Sequence, residues 1–243
     1  MIKIEILFPE VANLYGDLEN ISYLGKCSDE IEIIEDSLTE EPYFAKNEPA
    51  LVYMGTMSES SQRLVAKKLA EYEGRLRELI DRGVHFLITG NALEIFGDRI
   101  ETPEGETVKC LGIFDTYASL DLNKRFNSLY LGEYPDASGD IEIVGYKSQF
   151  SHSYNIGEQG GYAFMTKRGC GLNPGIMQEG IRKNNFIGTY IIGPLLVLNP
   201  LFTKSLLRSM GIEKPVLAFE EEAMEAYRVR LAEYSDEKRG FYY

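Results

Sequence analysis

The residues best placed to do chemistry lie between Phe86 and Gly97, where the sequence reads Phe-Leu-Ile-Thr-Gly-Asn-Ala-Leu-Glu-Ile-Phe-Gly. An apolar run enters a Gly-Asn-Ala corner, and helix-like spacing then continues to Gly97. A strand that turns sharply into a helix presents its corner residue beside free backbone N–H groups and the positive end of a helix dipole. That is the setting of a nucleophile elbow. The corner here is Gly90, flanked by Asn91 and Ala92, and glycine has no nucleophilic atom. The pattern predicts a strand over 84–89, a tight turn at Gly90–Asn91 and a helix to about Phe96.

Neighbouring groups offer little replacement chemistry. The Thr89 hydroxyl falls one residue early, inside the strand, and reads as structural. Glu94 reads as a helix-surface or partner-facing carboxylate rather than a base. Cys27, Cys110 and Cys170 are odd in number, scattered and outside any elbow-like context, which argues for reduced thiols rather than a disulfide framework or a zinc site. Two histidines are too few for a histidine-based metal centre: His85 reads as structural and His152 as a surface or loop residue. No metal and no cofactor are expected. There is no Gly-x-x-x-x-Gly-Lys-Ser/Thr loop for nucleotide phosphates.

The elements that must position the corner alternate between strand and helix. Strands are predicted at Ile2–Phe8, Glu30–Glu35, Ala50–Met54 and Val84–Thr89. A short helix is predicted at Asp17–Leu24, with Asp17 as its N-cap. A long one is predicted over Ser58–Arg82, capped by the serines at its start and carrying Leu64, Leu69, Leu76 and Ile80 as an apolar stripe. Such alternation builds an open, mostly parallel α/β sheet flanked by helices, whose sites form at the carboxyl ends of strands. Gly55 and Gly90 both fall at such ends.

After Ile100 the pattern changes. A hairpin turn is predicted at Thr102–Thr107, and strands at Ser128–Leu131, Ile141–Tyr146 and Phe186–Ile192. Glycine-rich connectors run over Gly157–Gly161 and Gly169–Gly175. Met210–Leu217 reads as a break, and an acidic, largely solvated helix follows at about 220–237. One domain over residues 1–243 is expected.

A formal charge of −13 repels nucleic acid and anionic membranes. The N-terminus carries no signal-peptide pattern, and no apolar run approaches the ~20 residues that span a bilayer. A cytoplasmic protein without membrane insertion is expected.

Several ordered segments resemble the class I (triad) glutamine amidotransferases, in the cobyric-acid-synthase-type branch. Within that branch they resemble the glutaminase subunits of lipid II isoglutaminyl synthases. The segments are Asn13-Leu14-Tyr15-Gly16-Asp17 with Asn20, Tyr53-Met54-Gly55-Thr56-Met57-Ser58 with Gln62, Thr102–Gly105 with Leu111–Asp115, and Gly188-Thr189-Tyr190-Ile191-Ile192-Gly193-Pro194. Placed residue by residue, the resemblance implies that Gly90 stands where the family has its nucleophilic cysteine, and Ile192 where it has the activating histidine. Its Asn-His-Gly-Gly-Arg glutamine-site segment matches Ser148–His152, which includes Gln149. The family's glycine-rich oxyanion loop keeps Gly55 but has Thr56 next.

The resemblance therefore implies a degenerate glutamine amidotransferase-like subunit, unable to hydrolyse glutamine and acting beside a Mur-ligase-like partner. The vestigial pocket would comprise Gly55, Thr56, Asn91, Ala92, Gln149 and His152. Two other readings stay open at this point. One is a working glutaminase subunit supplying ammonia for peptidoglycan or cobyric-acid-type amidation, its catalytic residues lying at other positions or supplied by another chain, and the other a small-molecule sensor using the emptied pocket.

Overall fold

A computed structural model describes residues 1–155 and 160–242. The first half alternates as the sequence predicts: β1 (Ile2–Leu7), α1 (Glu19–Cys27), β2 (Ile31–Asp36), β3 (Leu51–Met54), α2 (Glu59–Leu69), α3 (Glu73–Asp81) and β4 (His85–Thr89). Short strands follow: β5 (Arg99–Glu101), β6 (Thr107–Lys109), β7 (Tyr117–Leu120), β8 (Phe126–Tyr134), β9 (Ile141–Gln149), β10 (Ser151–Tyr154), β11 (Phe164–Arg168), β12 (Gln178–Glu179), β13 (Ile181–Lys183) and β14 (Phe186–Thr189). Helices α4 (Leu195–Leu198), α5 (Pro200–Ser209) and α6 (Glu220–Ser235) close the chain.

The central sheet has the order β13-β14-β4-β3-β1-β2. Its neighbours run parallel except for the antiparallel β13–β14 hairpin at one edge. Strand periodicity sends alternate side chains to opposite faces. Val52, Met54, Phe86 and Ile88 pack with Val65, Leu69, Leu76 and Ile80 of α2 and α3. Leu51, Tyr53, Leu87 and Ile187 pack on the other face with Ile21 and Leu24 of α1 and with Leu196, Phe202 and Leu206. Burial on both faces explains why these strands read as continuous apolar runs. Two four-stranded sheets, β10-β7-β5-β6 and β12-β11-β8-β9, form the later part.

Four expectations need correction or trimming. The predicted Ser58–Arg82 helix is interrupted by a 3₁₀ turn at Ala70–Tyr72. Leu64 is 60% exposed, because at 100° per residue it lies roughly 140° around the helix from Leu69. Asp17 does not cap α1: that helix starts at Glu19 without a side-chain cap, and the Asp17 carboxylate turns inward. The C-terminal helix ends at Ser235. By contrast, Ser58 does cap α2, accepting a hydrogen bond from Ser61 N at 3.2 Å, and β5 and β6 form the predicted hairpin. In the Gly157–Gly161 connector, residues 157–159 lie outside the described residues. No helix among the described residues is long and apolar enough to cross a membrane.

A buried acid in the first strand makes the fold pH-sensitive. Glu5 is fully buried, accepts Phe44 N at 2.9 Å and sits beside Asp36. Burial, reinforced by Asp36, pushes its carboxyl from the ordinary 4.5 up to about 10. The folded state thus holds a proton that the unfolded chain releases above 4.5, so stability falls as pH rises from about 4.5 towards 10. Denaturant melts from pH 5 to 9 should show that decline, and Glu5→Gln, which mimics the protonated acid, should flatten it. Parallel slopes in the two proteins would show that Glu5 does not carry the effect.

Candidate functional site

Strand β4 ends at Thr89, and the chain turns through Gly90 at φ +62 into a 3₁₀ segment, Gly90–Phe96. The predicted strand–turn–helix is present, with 3₁₀ geometry in place of an α-helix. A left-handed backbone of this kind is accessible to glycine and strained for most side chains. A Cβ placed on Gly90 would lie 2.2 Å from Thr56 Oγ1 and 2.8 Å from both Thr56 Cβ and Cγ2. The space into which a corner side chain would project is therefore held by Thr56.

Thr56 is fixed there by Asp17. Asp17 Oδ2 accepts Thr56 N at 3.0 Å, Thr56 Oγ1 at 3.0 Å and Thr89 Oγ1 at 2.5 Å, while Oδ1 accepts Asn20 Nδ2 at 3.0 Å. Burial pushes this carboxyl above the ordinary range, and the surrounding donors oppose that shift. Tyr53 OH donates to Asp17 O at 2.7 Å. Gly55 is needed beside this cluster, since a Cβ there would come within 2.6 Å of Ala12 O. The hydroxyl–carboxylate contact of Thr89 with Asp17 has the composition of an activated nucleophile, yet both residues are sealed from solvent. Its role is structural, as the sequence reading holds for Thr89.

Asn91 locks the loop after β3 to the elbow. Its Oδ1 accepts Met57 N at 3.0 Å, and its Nδ2 donates to Met57 O at 2.8 Å. Gln62, from α2, donates to Asn91 O at 2.6 Å and to Glu94 Oε2 at 2.8 Å. Ala92 is buried in the core behind them.

Glu94 corrects an expectation: it is a buried hub and not a surface carboxylate. Besides Gln62 it accepts Tyr190 OH at 2.8 Å and the hydroxyl of Ser151. Burial raises its proton affinity, against those donors. Ser151 opens β10, which brings the predicted Gln149–His152 segment to the elbow. Gln149 Nε2 donates to Ser151 O at 2.5 Å and lies 3.3 Å from His152 Nδ1. His152 is in a strand, half-buried, in place of the expected surface or loop position. Burial and the nearby Lys147 depress its proton affinity and favour the neutral ring.

Ile192 is buried, and its main chain pairs with Tyr146 of β9 in both directions, at 2.9 and 3.1 Å. Its segment reaches the elbow through Tyr190, because β14 is registered on β4 with Thr189 opposite Thr89. One further group escaped sequence reasoning: Lys147 and Glu179 form a fully buried ion pair. Glu179 Oε1 accepts Thr189 Oγ1 and Tyr190 N, each at 2.8 Å, and Lys147 donates to Gly171 O at 2.8 Å. The signal was available, since Lys147 shares the inward parity of β9 with Ile141, Ile143 and Gly145.

None of the thiols is poised to attack. Burial pushes Cys110 up to about 12 and also raises Cys27 and Cys170, so all three stay protonated near neutrality.

An open parallel sheet with a sharp strand-to-helix turn at a strand's carboxyl end defines an elbow-bearing α/β protein. Comparison with known proteins makes the class specific. Residues 3–199 match the CobB/CobQ-like glutamine amidotransferase domain, and the chain belongs to that family. It is 30% identical over 213 residues to the lipid II isoglutaminyl synthase (glutamine-hydrolyzing) subunit GatD of Staphylococcus aureus, covering 86% of this chain and 83% of that protein. It is 24% identical over 238 residues to the corresponding subunit of Streptococcus pneumoniae, covering 90% and 86%. A solved structure of PurLQS from Thermotoga maritima shares the fold, with a TM-score of 0.59 and 11% identity over 86% of this chain and 97% of that one. So does a glutamine amidotransferase crystal structure, with a TM-score of 0.54, 12% identity, and coverage of 86% and 99%.

The packing at Gly90 gives a stability test. Gly90→Cys should destabilise the protein by about 2–4 kcal/mol in denaturant titration, from overpacking and positive-φ strain together. Adding Thr56→Gly should relieve the overpacking but withdraw the Thr56 hydroxyl from Asp17, so the double variant should be less destabilised than the sum of the two single changes. Equal stability of wild type and Gly90→Cys would show that the space is not filled.

Proposed function

We propose that this chain is a glutamine amidotransferase-like subunit that does not hydrolyse glutamine. In this reading it serves as a structural or regulatory partner of an ATP-dependent, Mur-ligase-like protein in lipid II amidation, in the cytoplasm. The observation that supports it most is the meeting of Gly90 with Thr56, which leaves the elbow without a nucleophile and without space for one. Glutamine hydrolysis needs a thiolate, a base to exchange its proton, and N–H donors for the oxyanion. By sequence register the base position is Ile192, which exchanges no proton. The glutamine-binding segment is replaced by Ser148–His152. The two relatives that carry the lipid II isoglutaminyl synthase name supply the pathway and the expectation of a partner subunit.

A sensor at this site is the weaker reading, because Asp17, Thr56, Asn91 and Glu94 bond to one another in buried positions and leave few groups for a ligand.

The purified chain should release no ammonia from glutamine, alone or with a co-expressed Mur-ligase-like protein, while co-purifying with the latter. Gly90→Cys/Ile192→His should recover at most a small fraction of a competent enzyme, since missing acid–base transfer typically costs ~10²–10⁴-fold and the glutamine contacts remain altered. Ammonia release by the unmodified chain, proportional to its concentration and insensitive to Thr89→Ala, would overturn the proposal. Loss of that activity in Thr89→Ala would instead identify a threonine nucleophile.

A further inference from the structure

The amino ends of the central strands carry a second feature, on the sheet edge opposite the elbow. A cavity of about 590 Å³ opens between the start of β4, the β13–β14 turn, the β8–β9 turn and α5. Its size is that of a small-molecule site. The floor is apolar, built from Tyr134, Ile187, Phe202 and Leu206. The wall carries two guanidinium groups, Arg182 and Arg208, against a single carboxylate, Asp136.

The chain's charge of −13 makes this excess of positive charge unusual for its surface. The carboxylate keeps its charge, but its lone pairs are largely occupied: Asp136 Oδ2 accepts Ser138 N at 2.9 Å and the Ser138 hydroxyl at 2.5 Å, and Oδ1 accepts the Ser205 hydroxyl. The guanidinium donors are not. Arg182 is held with its plane over the Tyr134 ring at 4.8 Å, and one of its nitrogens donates to Pro135 O at 3.1 Å. Its other N–H groups meet no acceptor among the described residues. Arg208 makes neither an ion pair within 4.0 Å nor a side-chain hydrogen bond among those residues, and its charge acts on Asp136 only at longer range, helping to hold that carboxyl below its ordinary range. An arginine pre-set on an aromatic ring loses little side-chain freedom when it engages an anion.

We propose that this cavity binds a small organic anion: a phosphate or carboxylate, held by Arg182 and Arg208, on a flat apolar body that rests against Tyr134, Ile187 and Phe202. The site lies away from the elbow and does not depend on how that site is read. Two guanidinium groups with free N–H donors, outnumbering the one carboxylate beside them, match the two or three acceptor oxygens of such an anion. The apolar floor separates an organic anion from inorganic phosphate, which cannot use it.

Phenyl phosphate is the probe, with inorganic phosphate and phenol as comparators, measured by isothermal titration calorimetry on the full-length protein. Phenyl phosphate should saturate one site and bind at least tenfold more tightly than either comparator. Arg182→Met and Arg208→Met should each weaken it tenfold or more, with unchanged far-ultraviolet circular dichroism. If Arg182→Met disturbs the β8–β9 turn through its lost contact with Pro135, Arg208→Met alone decides, because Arg208 holds no other residue in place. Absence of saturable phenyl phosphate binding, or binding indifferent to Arg208→Met, would overturn the proposal. So would equal affinity for inorganic phosphate, since the apolar floor would then contribute nothing.

Discussion

The buried carboxylate of Asp17 is the interaction on which the rest of the site depends. It ties the segment before α1, the loop after β3 and the end of β4 to one group through bonds to Asn20, Thr56 and Thr89. Taking a carboxyl out of water is costly unless its lone pairs are occupied, and here they are occupied by four donors. The arrangement constrains in both directions. The carboxyl needs the Thr56 hydroxyl, and Thr56 so held leaves no space for a side chain at residue 90. The corner glycine is thus a packing requirement of the present interior.

A second buried acid performs the same task one turn further on. Glu94 joins the elbow segment to α2 through Gln62, to β10 through Ser151 and to the end of β14 through Tyr190. Tyr190 N and Thr189 then lead to Glu179 and its ion pair with Lys147. The carboxyl edge of the sheet is therefore a connected polar interior, joining elements far apart in sequence. Such a network rigidifies when every member is satisfied and is costly when one partner is lost. One member is unsatisfied: Gln149 Oε1 has no hydrogen-bond partner among the described residues.

Much of the fold was legible because strand burial and helix amphipathicity leave periodic marks. The four strands from β1 to β4, the Ser58 cap and the turn at Gly90 all follow from local pattern. Leu64 was misread because an apolar residue on a helix need not share the buried stripe. The break at Ala70–Tyr72 contains no glycine or proline, and the nearby Gly74 lies inside α3. At the site, the resemblance led to the Gly90, Asn91 and Gly55–Thr56 positions, which do meet. What could not be read was occupancy: residues 56 and 90 are 34 positions apart, and only the tertiary fold makes their side-chain volumes compete. Asp17 and Glu94 were misplaced for a related reason. Acidic residues are seldom buried without partners, and their partners lie on other elements, so local sequence favours the surface or a cap.

A corner without a side chain leaves space that the interior has to fill. An empty pocket costs stability in proportion to its volume, and water in it needs polar partners. Thr56 takes up that space, but its hydroxyl then requires an acceptor in a dry interior. Asp17 supplies that acceptor, and Thr89 and Asn20 complete the carboxylate's own needs. Gly90, Thr56 and Asp17 are accordingly a mutually consistent set, in which each residue type makes sense only in the presence of the other two. Restoring a cysteine to the corner contradicts the threonine, and removing the threonine hydroxyl withdraws a donor from the buried acid. A larger side chain at residue 90 is therefore accommodated only if residues 56 and 17 change with it.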